Sequence, residues 1–136
     1  MIDLPVATRQ PYPTKNPWYD VSEYLTPGLS AFQDESVLAC ADGNFVHYSF
    51  FITIDRTHPE LSTHWLIGYG SMHPGLRVVA NSATTGWFTT SSGETVRRVV
   101  VSVDGYIAMP RWPNMGVKLA DYTGVNFTLT APRRIP

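Results

Sequence analysis

Charge is what this chain has least of. Asp, Glu, Lys and Arg together make up 15% of the 136 residues, against roughly 25% in ordinary soluble domains. The net charge is −1, and the basic residues cluster no further than the pairs Arg97-Arg98 and Arg133-Arg134. Nucleic-acid binding needs a basic face that neutralises phosphates, so that class of partner is not expected. Cysteine is nearly absent too. Cys40 stands alone, which excludes a disulfide within the chain. Its neighbours Leu38-Ala39-Cys40-Ala41-Asp42 offer no positive charge to activate a thiol, so Cys40 reads as a small buried hydrophobe in a strand. No apolar run approaches the ~20 residues that cross a bilayer. Met1–Gln10 lacks a basic stretch followed by an apolar one, which fits synthesis in a cytoplasm without general export.

What is present is apolar, aromatic and extended. Apolar residues reach 43%, enough for one core in a domain of this length. With so few charges, the surface must be covered by Thr, Ser, Asn, Tyr and Trp. Such a surface suits contact with sugars or with copies of itself. Pro5, Pro11, Pro13 and Pro17 fall in the first 17 residues. Proline fixes φ and removes a donor, so residues 1–17 read as an extended arm and 18–136 as one domain.

β signals dominate that domain. Val46, Tyr48, Phe50, Ile52 and Ile54 are apolar at every second position, which predicts a long half-buried strand. Phe45 and Phe51 lie on its other face among His47, Ser49 and Thr53, so that face is not plain solvent. Further strands are predicted over Leu76–Ala80, Thr85–Thr90 and Thr95–Val103. Asp104-Gly105 is a turn pair that tolerates positive φ, and Tyr106–Met109 follows it. Gly124–Thr130 alternates strictly, with Val125, Phe127 and Leu129 on one side. Ser22–Leu25 predicts one helical turn, ended by Pro27-Gly28. No helical period persists after residue 30, so the class is all-β: an antiparallel β-sandwich or jelly roll behind a Pro-rich arm.

Catalytic patterns fail on spacing. His47, His58, His64 and His73 are separated by 11, 6 and 9 residues, which is not a local zinc motif. His58-Pro59-Glu60 lacks the Cys pair of zinc deaminases. Gly68-Tyr69-Gly70-Ser71-Met72 misses the nucleophile-elbow spacing. Paired carboxylates for glycoside cleavage leave no mark in sequence, so a small hydrolase or a free carbohydrate-binding module stays as an alternative. No catalytic residue, metal ligand or cofactor is assigned. Trp65 and Trp112 fall in loop-like stretches, whereas Trp87 sits within a strand and is expected in the core. A sugar needs a flat apolar face and planar polar groups. The candidate ligand-binding residues are therefore His64, Trp65, Tyr69, Arg111, Trp112 and Asn114.

The order of elements resembles C-terminal domains of bacteriophage tail-fibre and minor structural proteins, of receptor-binding head type. Trp18-Tyr19-Asp20-Val21-Ser22-Glu23-Tyr24-Leu25 is similar to their "W..v..yL..G" opening. Gly43–Phe50 matches "g..V.y.g.i", and Val101–Ile107 matches "v.v..dG.i". Ile67–Pro74 stands where "lP.gyrP" usually does, without its first proline and its arginine. The resemblance covers residues 18–130. It implies a trimeric β-sandwich at the tip of a virion tail or fibre that binds host surface saccharide or serves as a structural head; residues 1–17 would then join it to other virion proteins or wrap a neighbour. A capsid decoration protein anchored by the same arm is the second expectation. No family site residue carries over.

Overall fold

The computed structural model describes residues 18–59, 64–110 and 118–134. Nine strands run in chain order: β1 Trp18–Asp20, β2 Leu29–Ala31, β3 Val37–Asp42, β4 Phe45–Ile54, β5 Trp65–Ile67, β6 Ser82–Thr90, β7 Gly93–Val101, β8 Ile107–Ala108 and β9 Gly124–Pro132. They form one antiparallel sheet in the order β1-β3-β4-β9-β6-β7-β8-β5, with β2 also on β4. The sheet curls into a half-barrel, the sandwich-like all-β domain expected from the sequence. No helix among the described residues is long and apolar enough to cross a membrane.

The predicted alternation in β4 is what aims its side chains. Val46, Tyr48, Phe50, Ile52 and Ile54 are buried, on the concave face. β9 pairs with β4 over nine positions, Tyr48 opposite Leu129 and Phe50 opposite Phe127. The rings of Phe50 and Phe127 are 4.9 Å apart. Burying one such side chain contributes roughly 1.5–3 kcal/mol, so this strand pair supplies much of the core. The Tyr48 hydroxyl donates to the Leu76 carbonyl. Burial pushes its pKa up, so it remains a donor throughout the ordinary pH range.

The β6–β7 hairpin pairs nine positions from Ser82–Val101 to Thr90–Gly93. Its concave side holds Phe88, Val99 and Val101, all buried. Position 86 faces the same side and suits glycine, because a Cβ there would come within 2.7 Å of Val99 Cγ2 and 2.9 Å of Phe88 Cε1. The expected helical turn is a 3-10 turn at Ser22–Tyr24. The hairpin around Asp104-Gly105 forms, but it is short: Val100 faces Ala108 and Val101 faces Ile107.

Three expectations are corrected. Leu76–Ala80 is not a strand. His73 caps a 3-10 turn at Pro74–Leu76 by accepting from the Gly75 amide, and beyond it only Val78 bridges Arg133. Apolar residues there are buried by wrapping over the core rather than by joining a ladder. Trp65 stands on a strand rather than in a loop. Trp87 is 50% exposed: Phe88 takes the concave side, and period-2 geometry turns its neighbour outward. Cys40 is buried as expected, but on the convex face, in register with Trp18 and His47. Burial, with Asp42 adding to it, pushes its thiol pKa up.

Candidate functional site

Three aromatic rings gather at the β5–β8 end of the sheet. Trp65 and Tyr106 stack with centroids 5.4 Å apart and planes 12° from parallel. Tyr69 lies 6.1 Å from Tyr106 and 6.3 Å from Trp65. Tyr69 is 63% exposed, while the other two are half-buried. Trp65 and Tyr106 lie in offset parallel planes with Tyr69 tilted by 35° and 26° to them, an aromatic cluster whose exposed member offers apolar ring surface of the kind a pyranose ring stacks on.

Each ring is positioned by backbone contacts. Trp65 heads β5 opposite Ala108, and the register then shifts so that Ile67 faces Ile107. That bulge lets Leu66 and Ile67 both be buried while Trp65 stays at the surface. The Trp65 carbonyl accepts from Thr26 Oγ1 at 2.7 Å, and the Met109 amide donates to the His64 carbonyl at 2.9 Å. The loops bearing Tyr69 and Tyr106 are stitched together. The Gly70 amide donates to the Asp104 carbonyl and the Met72 amide to the Gly105 carbonyl, each at 3.0 Å. Arg77 seals this junction, its Nε donating to the Met72 carbonyl at 2.8 Å and its Nη2 to the Gly70 carbonyl at 3.0 Å. Gly105 sits beneath that guanidinium with φ +81°, and a Cβ there would come 2.6 Å from Arg77 Nε. Only glycine satisfies both the turn and the close approach.

Beside the rings runs a groove of about 260 Å³, lined by His64, Trp65, Val100, Tyr106, Ala108 and Pro110. Trp65 Nε1 donates to His64 Nε2 at 2.7 Å, so a neutral His64 carries its proton on Nδ1. The ring of His64 stands edge-on to Trp65 at 86°. This arrangement can bind. Among the described residues the groove is lined by no carboxylate.

Of the six candidate residues, His64, Trp65 and Tyr69 are brought together. Arg111, Trp112 and Asn114 lie outside the described residues, as does the arm 1–17. Sequence reasoning missed Tyr106, taken only as a hairpin residue. The positive-φ turn at Asp104-Gly105 was the available signal, because it fixes where the next side chain emerges. The histidines are dispersed. His47 Nδ1 lies 2.8 Å from Thr130 Oγ1 and its Nε2 3.7 Å from Asp42; His73 caps its turn; His58 follows the Asp55 turn. Two Thr57 hydrogen bonds, from hydroxyl and amide, hold the Asp55 carboxyl below its usual range. Among the described residues no three His, Cys, Asp or Glu side chains group as metal ligands would.

A second aromatic region lies on the convex face. Phe51, Asn126, Trp87 and Val96 stand in register across β4, β9, β6 and β7. Phe32 stacks on Phe51 at 4.3 Å and 20°.

No family model matches the chain, and no curated protein matches it in sequence. Among solved structures it is similar to the head domain of lactococcal phage bIL170, a receptor-binding domain, with a TM-score of 0.57. The likeness covers 88% of this chain and 100% of that one. The chain has the fold of a phage receptor-binding head domain. At 15% identity the likeness to that head domain is one of fold, reached through a different set of side chains. The sequence resemblance to phage tail-fibre domains and this head-domain fold point the same way.

Proposed function

We propose that the chain is the receptor-binding head of a phage adhesion structure, a virion protein that binds host surface saccharide without cleaving it. The head-domain fold, matched over the whole of the bIL170 domain, carries the reading. The Trp65-Tyr69-Tyr106 platform supplies its site. Tyr69 offers an exposed ring, Trp65 and Tyr106 stack behind it, and His64 stands at the edge of the groove beside them. The stitched loops hold these rings in place before ligand arrives, which lowers the ordering cost of binding. Arg111, Trp112 and Asn114 follow directly on Pro110, which lines the groove. They are the proposed source of further hydroxyl contacts. Self-association as a homotrimer is part of the reading. It is supported by the exposed rings Phe32, Phe51 and Trp87 on the convex face, since a row of this kind calls for cover. Residues 1–17 would connect the head to other virion proteins or to neighbouring copies.

The test is adsorption of whole particles carrying Tyr69→Ala, alongside binding of the purified protein to polysaccharide from the host wall. Reduced adsorption with unchanged particle number and unchanged melting temperature is expected. Unchanged adsorption by Tyr69→Ala and by Tyr106→Ala would move the receptor site elsewhere. Particle images showing the protein on the capsid shell would replace the receptor reading with a decoration role.

A further inference from the structure

The convex face is a groove as well as a row of rings. Between Phe51 and Trp87, about 310 Å³ is lined by Ser49, Thr84, Thr85, Asn126 and Thr128. Its walls are aromatic, and its floor carries neutral hydroxyl and amide groups. Phe51 and Trp87 are 40% and 50% exposed.

We propose that the Pro-rich segment of residues 1–17 of a neighbouring copy occupies this groove, resting on the self-association just described. Chemistry is the first reason. A segment with Pro5, Pro11, Pro13 and Pro17 favours polyproline II, poor in N–H donors and rich in exposed carbonyls. Aromatic walls with side-chain donors between them are what recognise such a segment, and Asn126 stands between the two rings. Direction is the second. Trp18 is in register with Cys40 and His47, and Asp20 with Leu38 and Ser49. The chain before Trp18 therefore leaves the sheet towards the Phe45 end of β4, away from Phe51. The register at Trp18 thus directs the segment away from the groove of its own chain. Reach is the third: 17 residues at ~3.1 Å each span roughly 50 Å, more than the width of the sheet at ~4.8 Å per strand.

The experiment uses the full chain with Tyr12→p-benzoylphenylalanine, prepared as a mixture of isotopically light and heavy protein, irradiated and mapped by mass spectrometry. Mixed light–heavy cross-links between position 12 and the Phe51, Trp87 or Asn126 strands are expected. Their yield should fall about tenfold in Trp87→Ala and in Phe51→Ala chains whose circular dichroism is unchanged. Cross-links only within one chain, or on another surface, would overturn the proposal. So would a Trp87 indole that is protected by sheet-to-sheet contact of two copies while position 12 stays unlinked. The readout involves no receptor, so its failure leaves the adsorption result to stand or fall alone.

Discussion

The two aromatic regions are made in opposite ways. On the convex ledge, Phe51, Asn126, Trp87 and Val96 are neighbours because strand register makes them so. Nothing but the pairing of β4, β9, β6 and β7 is needed, and the rings stand on ladders of nine paired positions each in β4–β9 and β6–β7. On the end platform, Trp65, Tyr69 and Tyr106 come from a short bulged strand and two loops. They meet because the Gly70 and Met72 amides bind the carbonyls of the turn at Asp104-Gly105 while Arg77 holds the Gly70 and Met72 carbonyls. A surface made by register resists local damage and fails only with the sheet. A surface made by loop stitching can be lost while the sheet survives.

Substitutions can break that contrast, and the largest effect belongs to the sheet. Phe88→Ala should destabilise by about 3–5 kcal/mol, since Phe88 is fully buried and packs against Tyr122. Its neighbour Trp87→Ala should cost under about 1 kcal/mol, as surface changes do. Denaturant titration of the pair separates the two faces of one strand, and equal losses would mean that Trp87 is held in a core. Gly105→Ala comes next. It forces a side chain into positive φ and into Arg77, a cost of about 1–3 kcal/mol. Hydrogen exchange should quicken at the Gly70 and Met72 amides while β4 and β9 amides keep their protection. A uniform loss across the sheet would show that the junction is not a separate unit.

Smaller still is Tyr69→Ala, with a melting temperature nearly unaltered and saccharide affinity down about tenfold, the equivalent of ~1.4 kcal/mol. A drop in melting temperature instead would make Tyr69 a structural ring. Last is Cys40, whose thiol should resist alkylation at neutral pH in the folded protein and react fully on unfolding. Its raised pKa sets the sign: the thiolate fraction in the folded state is below that of an ordinary thiol. Rapid labelling of native protein would mean that the convex face opens at Trp18.

Much of the ledge's framework was legible in the sequence, because period-2 alternation records it. Val46 to Ile54 and Val125 to Leu129 state which side is buried, and Phe51 was visible as an outward ring. Trp87 was misjudged because Trp87 and Phe88 are equally apolar. Only the β6–β7 register, with Val99 and Val101 inward, decides between them. The platform was half-legible. Trp65 and Tyr69 are four residues apart, but Tyr106 joins them across 37 positions through backbone bonds that leave no side-chain pattern. β1 and β2 are three residues each, too short for any period to show. Leu76–Ala80 carries a strand's composition without a strand's partners.

The junction under the platform is tied by amides, carbonyls and one arginine, and none of those atoms belongs to the rings it presents. Tyr69 and Tyr106 are thus interchangeable tiles on a fixed mount. Exchanging one for Trp, His or Asn leaves every stitch from Gly70 to Asp104 in place. Under the proposed function, a chain that keeps Arg77 and Gly105 can change the exposed ring it presents one codon at a time without breaking a stitch beneath it.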